Sequence, residues 1–260
     1  MPWRGLVSLT SEQTTVATTD DQATVVLIGG GRMGKLIAKA LSADGGFLVL
    51  GTYDIDNIEE LDGQAPEADL VIDFSNKAAL PHVLSYIHRT GAALVSGTTG
   101  YGEDEQAQIR ELGSASRVVW SGNYSLGVAA LRHATELVAA AVPGWDVEIV
   151  ETHHNQKADA PSGTAEMLRA CVDPTGEVPV AYGRQGMIGA RPQREIGMHA
   201  LRGGTVAGTH EVHFFGTDEE LCLTHRATSR QIFVNGAVAA ARRLLACKPG
   251  FYTFDELMFD

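Results

Sequence analysis

The stretch that most limits the fold is "ATVVLIGGGRMGKLIAKAL". A β-branched run from Thr24 to Ile28 meets a glycine turn, and Met33, Leu36, Ile37, Ala40 and Leu41 then recur at helical spacing. The order is strand, turn, helix. Gly29, Gly31 and Gly34 satisfy G-x-G-x-x-G, with Arg32 and Met33 between the last two glycines. Such a turn lets a pyrophosphate approach the backbone and meet the unpaired N–H groups and positive dipole end of a helix. A second strand, "FLVLGTY", leads to Asp54, placed where a carboxylate accepts from ribose hydroxyls. Arg32 is either a solvated helix residue or a partner for the cofactor's adenosine phosphate.

Further short apolar runs, "ADLVIDF", "AALVSGTT" and "RVVW", alternate with helical stretches such as "EDEQAQIREL". This alternation predicts a parallel sheet covered on both faces. Loops at the carboxyl ends of such strands line the ligand crevice. On that rule Gly97, Thr98 and Thr99 of "SGTTG", and Ser121, Gly122, Asn123 and Tyr124 of "SGNYS", are candidate cofactor contacts.

After Asn123 the pattern changes. "SLGVAALRHATELVAAAV" reads as one long helix and "WDVEIVETHH" as a strand. The segment from Met198 to Ala227 reads as three strands joined by turns, a mainly antiparallel or mixed sheet. A last helix, "NGAVAAARRLLA", is expected to return to the first domain. The fold class is thus α/β: a Rossmann-like dinucleotide domain (24–124 and 235–260) plus an α+β substrate domain with a mixed sheet (125–234). Residues 1–23, polar and without the apolar core of an export signal, are expected to form a flexible arm.

Composition narrows the partners. With 260 residues, 44% of them hydrophobic, the chain can bury a sizeable core, and a formal net charge of −12 argues against nucleic acid. No apolar run is long enough to span a membrane. Cys171, Cys222 and Cys247 lack paired spacing, which suits a reducing cytoplasm.

"ETHHNQKADAPSGTAEML" concentrates the chemistry. His153 and His154 are proton-transfer groups that point in different directions if the strand is extended. Lys157 can donate a proton or anchor a carboxylate. The N–H groups of Ser162, Gly163 and Thr164, opening a helix, can cradle an anion. The histidine spacing is not that of H-E-x-x-H and no second acid or cysteine stands at ligand spacing, so no metal is expected. These residues together describe a reductase of a small anionic substrate.

The same element, with "GRMG", "VIDFS", "GTTG", "SGNYSLGV" and "THRATSRQIFVNGAV", closely resembles the 4-hydroxy-tetrahydrodipicolinate (dihydrodipicolinate) reductase family from about Thr24 to the C-terminus. The resemblance implies hydride transfer from NADH or NADPH to a heterocyclic dicarboxylate in lysine biosynthesis, and a homotetramer built through the mixed sheet. It implies His153 as proton donor/acceptor, Lys157 as proton donor, and His154, Gly163 and Thr164 on the substrate carboxylates. The glycine turn, Asp54, Gly97 to Thr99 and Ser121 to Tyr124 would hold the cofactor. Many members have a longer glycine turn and a basic residue after the acid. Here Ile55 follows Asp54, so NADH is expected to be preferred, or used alongside NADPH. The readings set against this one are another two-domain amino-acid dehydrogenase and a non-catalytic dinucleotide-binding regulator.

Overall fold

The computed structural model describes residues 22–259; the expected N-terminal arm lies almost wholly outside them. Two sheets organise the chain. The first holds β1 (Ala23–Ile28), β2 (Phe47–Tyr53), β3 (Leu70–Asp73), β4 (Ala93–Ser96), β5 (Arg117–Trp120) and β11 (Gly250–Tyr252), in the order β11-β5-β4-β3-β1-β2. Every pairing in it is parallel. β3 and β4 are buried along their whole length, as expected of central parallel strands with helices on both faces. One face packs on α1 (Arg32–Asp44) and α6 (Gln231–Leu245), the other on α2 (Leu80–Thr90) and α3 (Glu103–Glu111).

The strand order reverses between β1 and β3, and the carboxyl ends on either side of that point open a crevice. Close backbone approach shapes it. Gly29 has φ +103°, a conformation that favours glycine, and a Cβ at Gly34 would overlap the carbonyl oxygen of Gly29. Helix α1 therefore starts directly above the turn.

From Ser121 the chain crosses to the second unit through α4 (Leu126–Ala141). β6 (Asp146–His153), α5 (Gly163–Val172), β7 (Val180–Ala181), β8 (Ile196–Arg202), β9 (Gly208–Phe215) and β10 (Glu220–Ala227) follow. The sheet runs β10-β9-β6-β8-β7 and is mixed, with β6 parallel to β8 and antiparallel to β9. Its core of Val147, Ile149, Met198, Val212 and Phe214 is closed by Leu131 of α4 and Leu168 of α5.

The return to the first sheet is longer than the sequence suggests. After α6 the chain adds β11 beside β5, then α7 (Phe254–Phe259), so α6 is not the last helix. Both elements are too short for periodicity to reveal. Their anchoring is tertiary, through Phe254 and Leu257 in the core shared with α6.

Gly236 lets α6 touch the 121–125 turn, because a Cβ there would overlap the carbonyl oxygen of Tyr124. Gly236→Ala is expected to cost about 1–3 kcal/mol by overpacking. Thermal unfolding should show a lower Tm, by about 2–4 °C per kcal/mol. Gly183→Ala, where a Cβ meets open space, should stay within about 0.5 kcal/mol of the parent.

Candidate active site

Three cavities share walls and form one groove along the carboxyl ends of the first sheet and into the second unit. The first, ≈ 390 Å³, is lined by Gly29, Gly30, Gly31, Asp54, Ile55, Phe74 and Ser75, among others. The second, ≈ 600 Å³, shares Gly31 and Phe74 with it and adds Arg32, Met33, Gly97, Thr99, Ser121, Gly122, Tyr124, Arg230 and Phe233. The third, ≈ 740 Å³, shares Thr99, Gly122 and Phe233 with the second. It is lined by Asn123, His153, His154, Lys157, Asp159, Ser162, Gly163 and Thr164. The fold thus joins the glycine turn to the His-His-Lys loop, segments more than 100 residues apart.

The first two cavities suit a dinucleotide. Helix α1 opens on Gly31 with no side-chain cap and no acid in its first turn, leaving its N–H groups for an anion. Asp54 follows β2, and Gly30 packs so closely on its carboxylate that a Cβ would collide with it. Ile55 beside it is 87% exposed. The Phe74 ring fills the space a Gly97 side chain would need. Thr98 does not line the groove, contrary to expectation. It is buried, its hydroxyl accepts from the Ser75 N–H at 3.0 Å, and its carbonyl accepts from the Trp120 indole. Its place is beneath the lining, holding the β3 and β4 loops together.

The third cavity is built by the parity of β6. Val147, Ile149, Glu151 and His153 point the same way, so the alternation that buries two aliphatic side chains also buries a carboxylate and carries an imidazole inward. Glu151 is fully buried. It accepts from Arg202 Nη2 at 2.7 Å, from the Ser162 N–H at 3.3 Å and from His153 Nδ1. Arg202 arrives because β8 runs in register, His153 opposite Arg202; likewise β9 sets His210 opposite Glu151.

Burial pushes the Glu151 carboxyl up, but its bonds from Arg202 and His153 outweigh this and hold it below its ordinary range. For His153, burial favours the neutral ring. The bond to Glu151 opposes that, Lys157 and Arg202 reinforce it, and the balance lies below the usual histidine value. An ionised carboxylate only accepts, so Nδ1 carries the proton to Glu151 and Nε2 is left with a lone pair. His210 is pushed down to about 4, chiefly by burial and then by His153; its Nε2 meets Ser162 Oγ at 3.2 Å.

Two expectations change here. Ser162 lines the cavity but its polar groups are engaged: the N–H donates to Glu151, the hydroxyl oxygen accepts from the Ala165 N–H to cap α5, and the same Oγ meets His210 Nε2. The free cradle is the N–H groups of Gly163 and Thr164. Asn123 faces this cavity rather than the nucleotide cavities: its Nδ2 donates to Thr164 Oγ1 at 3.1 Å. Lys157 stands at the mouth, its Nζ held by both oxygens of Asp159 at 2.8 and 2.9 Å. His154 points away from its neighbour, and its Nδ1 accepts from the Gln156 N–H.

Spacing along the chain also gave no warning of a possible ligand set. Glu151, His153 and His210 bring their polar atoms within 4.8 Å of one another. Arg202 on the same carboxylate argues against a cation, because its charge already satisfies Glu151 and would repel a second positive group. The group works as an orienting network for His153. Glu151 was legible in the β6 alternation, whereas Arg202, His210, Arg230 and Phe233 depend on strand register and helix docking.

A glycine turn at the switch point of a parallel sheet, joined by one groove to an oriented histidine, a lysine and an open helix N-terminus, defines a dinucleotide-dependent oxidoreductase of a small anion. Residues 23–124 match the family model for the dihydrodipicolinate reductase N-terminus and residues 127–258 that for its C-terminus. The chain belongs to the dihydrodipicolinate reductase family. The 4-hydroxy-tetrahydrodipicolinate reductase of Akkermansia muciniphila is 40% identical over 240 residues, covering 90% of this chain and 97% of that protein. That of Staphylococcus saprophyticus is 39% identical over 245 residues, covering 90% and 99%. Among solved structures, the dipicolinate-bound dihydrodipicolinate reductase from Paenisporosarcina sp. TG-14 shares the fold, with a TM-score of 0.74 at 21% identity over 92% of this chain and all of that one.

Glu151→Gln removes the charge that supports the His153 imidazolium and leaves Arg202 unneutralised. Lys157 and His210, the other titratable groups facing the ring, are unchanged. Any limb of the kcat/KM pH profile that belongs to His153 should therefore move to lower pH, and kcat should fall about tenfold or more. NADH affinity, measured by fluorescence titration, should not change. A profile that stays in place would assign the limb to another group.

Proposed function

We propose that the protein reduces 4-hydroxy-tetrahydrodipicolinate, by way of dihydrodipicolinate, to tetrahydrodipicolinate in diaminopimelate and lysine biosynthesis, using NAD(P)H in the cytoplasm. One observation carries the reading: the continuous groove from the Gly29–Gly34 turn to His153, Lys157 and the start of α5. A regulator without catalysis has no need of the Glu151–His153 pair at its end. No helix among the described residues is long and apolar enough to cross a membrane.

A bound nicotinamide would supply a hydride. Loss of the substrate's hydroxyl together with one ring C–H hydrogen as water leaves the dihydrodipicolinate ring, which needs that hydride and one proton. The Gly163 and Thr164 N–H groups and the α5 dipole take one carboxylate. His154 takes part in holding the substrate. Lys157 exchanges its contact with Asp159 for the substrate and donates the proton. His153, oriented by Glu151, exchanges protons through Nε2. The division of labour is a nucleotide unit of residues 24–124 and 231–259 and a substrate unit between them; the return begins at Gln231 rather than at 235, because α6 is one helix and Val234 already lies in the first core. Lys157→Met keeps most of the stem and removes the charge, and should lower kcat about 100-fold or more. Near-normal turnover in stopped-flow or steady-state assays with fresh substrate would remove Lys157 from the chemistry.

For the cofactor, Asp54 accepts from the adenosine ribose. A 2′-phosphate there would bring about two negative charges against the carboxylate, and Ile55 offers no compensation. Arg32, exposed at the neighbouring wall, is the opposing charge. NADH is therefore preferred by about 1–2 kcal/mol, roughly 5–30-fold in kcat/KM. A tenfold preference for NADPH would show Arg32 outweighing Asp54.

The assembly is a homotetramer through the mixed sheet. Its edge strand β10 and the open face leave Leu201, Phe215 and Leu221 exposed, and an apolar strand edge calls for cover. Light scattering at micromolar concentration should give four times the chain mass; a monomer mass would refute it.

A further inference from the structure

The contact between Asn123 and Thr164 crosses from the nucleotide turn to the substrate cradle. Asn123 Oδ1 accepts from the Ser125 N–H at 2.8 Å, which settles the orientation of the amide and leaves its NH₂ group facing Thr164 Oγ1 at 3.1 Å. The Thr164 hydroxyl has one hydrogen. With its oxygen accepting from Asn123, that hydrogen finds no acceptor among the described residues and is directed elsewhere. The residue sits in the first turn of α5 on the wall of the third cavity, beside the free N–H groups of Gly163 and Thr164.

The other side of Asn123 belongs to the nucleotide half. Ser121 Oγ donates to the Asn123 carbonyl at 2.8 Å and accepts from its N–H at 3.2 Å, and Tyr124 is tied through its hydroxyl to the Ser96 carbonyl. Ser121, Gly122 and Tyr124 line the second cavity. A nucleotide in the second cavity would therefore rest on the turn that carries the donor to Thr164 Oγ1.

We infer that Asn123 is a positioning residue that couples the two halves of the groove: it holds Thr164 as a donor to a substrate carboxylate, and does so best when the dinucleotide is bound. The inference rests on the proposed substrate cradle. Coupling of this kind is reciprocal, each ligand tightening the other by the same factor.

The test is calorimetric titration of the full-length protein with pyridine-2,6-dicarboxylate, with and without saturating NADH. In the parent, NADH should tighten dicarboxylate binding. In Asn123→Ala the enhancement should shrink by about threefold to tenfold, the worth of one net hydrogen bond. Asn123→Asp keeps the acceptor for the Ser125 N–H, and with it the turn. Its second oxygen would accept the Thr164 hydroxyl proton and turn that donor from the ligand, so dicarboxylate binding should be weaker in Asp than in Ala. Its charge weakens dicarboxylate binding with and without NADH alike, so a role in shaping the turn alone would leave the NADH enhancement in Asp at the parent value. An enhancement unchanged within twofold in Ala, or Asp binding better than Ala, overturns the inference. A parent that binds no dicarboxylate overturns the proposed function itself.

Discussion

A carboxylate sealed from water has to be answered by positive charge and N–H donors, and in this protein the catalytic half is arranged around that demand. Glu151 draws Arg202 across from β8, the Ser162 N–H from the start of α5, and the His153 ring from two residues along its own strand. Removing one member of such a set leaves an unpaired buried charge, which costs far more than a surface ion pair is worth. The same bonds place the helix start and the imidazole on one wall. The His153 ring and the start of α5, to which proton transfer and carboxylate binding are assigned in the proposal, are therefore both placed by a single buried group.

The groove has a helix N-terminus at each end. Helix α1 presents uncapped N–H groups beside the glycine turn, and α5 presents those of Gly163 and Thr164 after a serine cap. Both ligands of the reaction are anionic, while the chain carries a net charge of −12. Local backbone dipoles, rather than overall charge, supply the attraction, and such fields act within about a turn of the helix end. Their reach coincides with the two places the proposed function assigns to phosphate and carboxylate.

Much of this was legible in the sequence, for a physical reason. Central parallel strands are mostly apolar, so β1, β3, β4 and β5 stand out as short apolar runs, and the glycine turn announces itself through the strand before it and the helix after it. The loop to which proton transfer is assigned in the proposal was equally visible because its residues are close in sequence. What stayed hidden depends on register and docking. Arg202 and His210 join the site only because β8 and β9 align there with β6. The roles of Ser162, Thr98 and Asn123 turned on which partner takes each donor, and a list of residue types does not contain that. β11 and α7 owe their form to the sheet they complete.

The first sheet is a discontinuous structure in time as well as in sequence. Its core is sealed by Val234, Ala237, Ala240, Ala241 and Leu244 of α6, and β5 gains its outer neighbour only with Gly250–Tyr252. During synthesis these residues emerge only after the whole of the mixed sheet. The second unit, whose strands lie between residues 146 and 227, has its elements in hand earlier, although the sheet that opens the chain begins to form first. Since domains assemble as units and unsealed apolar faces invite aggregation, the nascent chain must carry an incomplete nucleotide unit, with one face of Val25, Leu27 and Ile72 open, until α6 and β11 leave the ribosome. Loss of α6 and β11 would remove this seal and leave the His153–Lys157 loop intact on a unit that no longer has a closed partner.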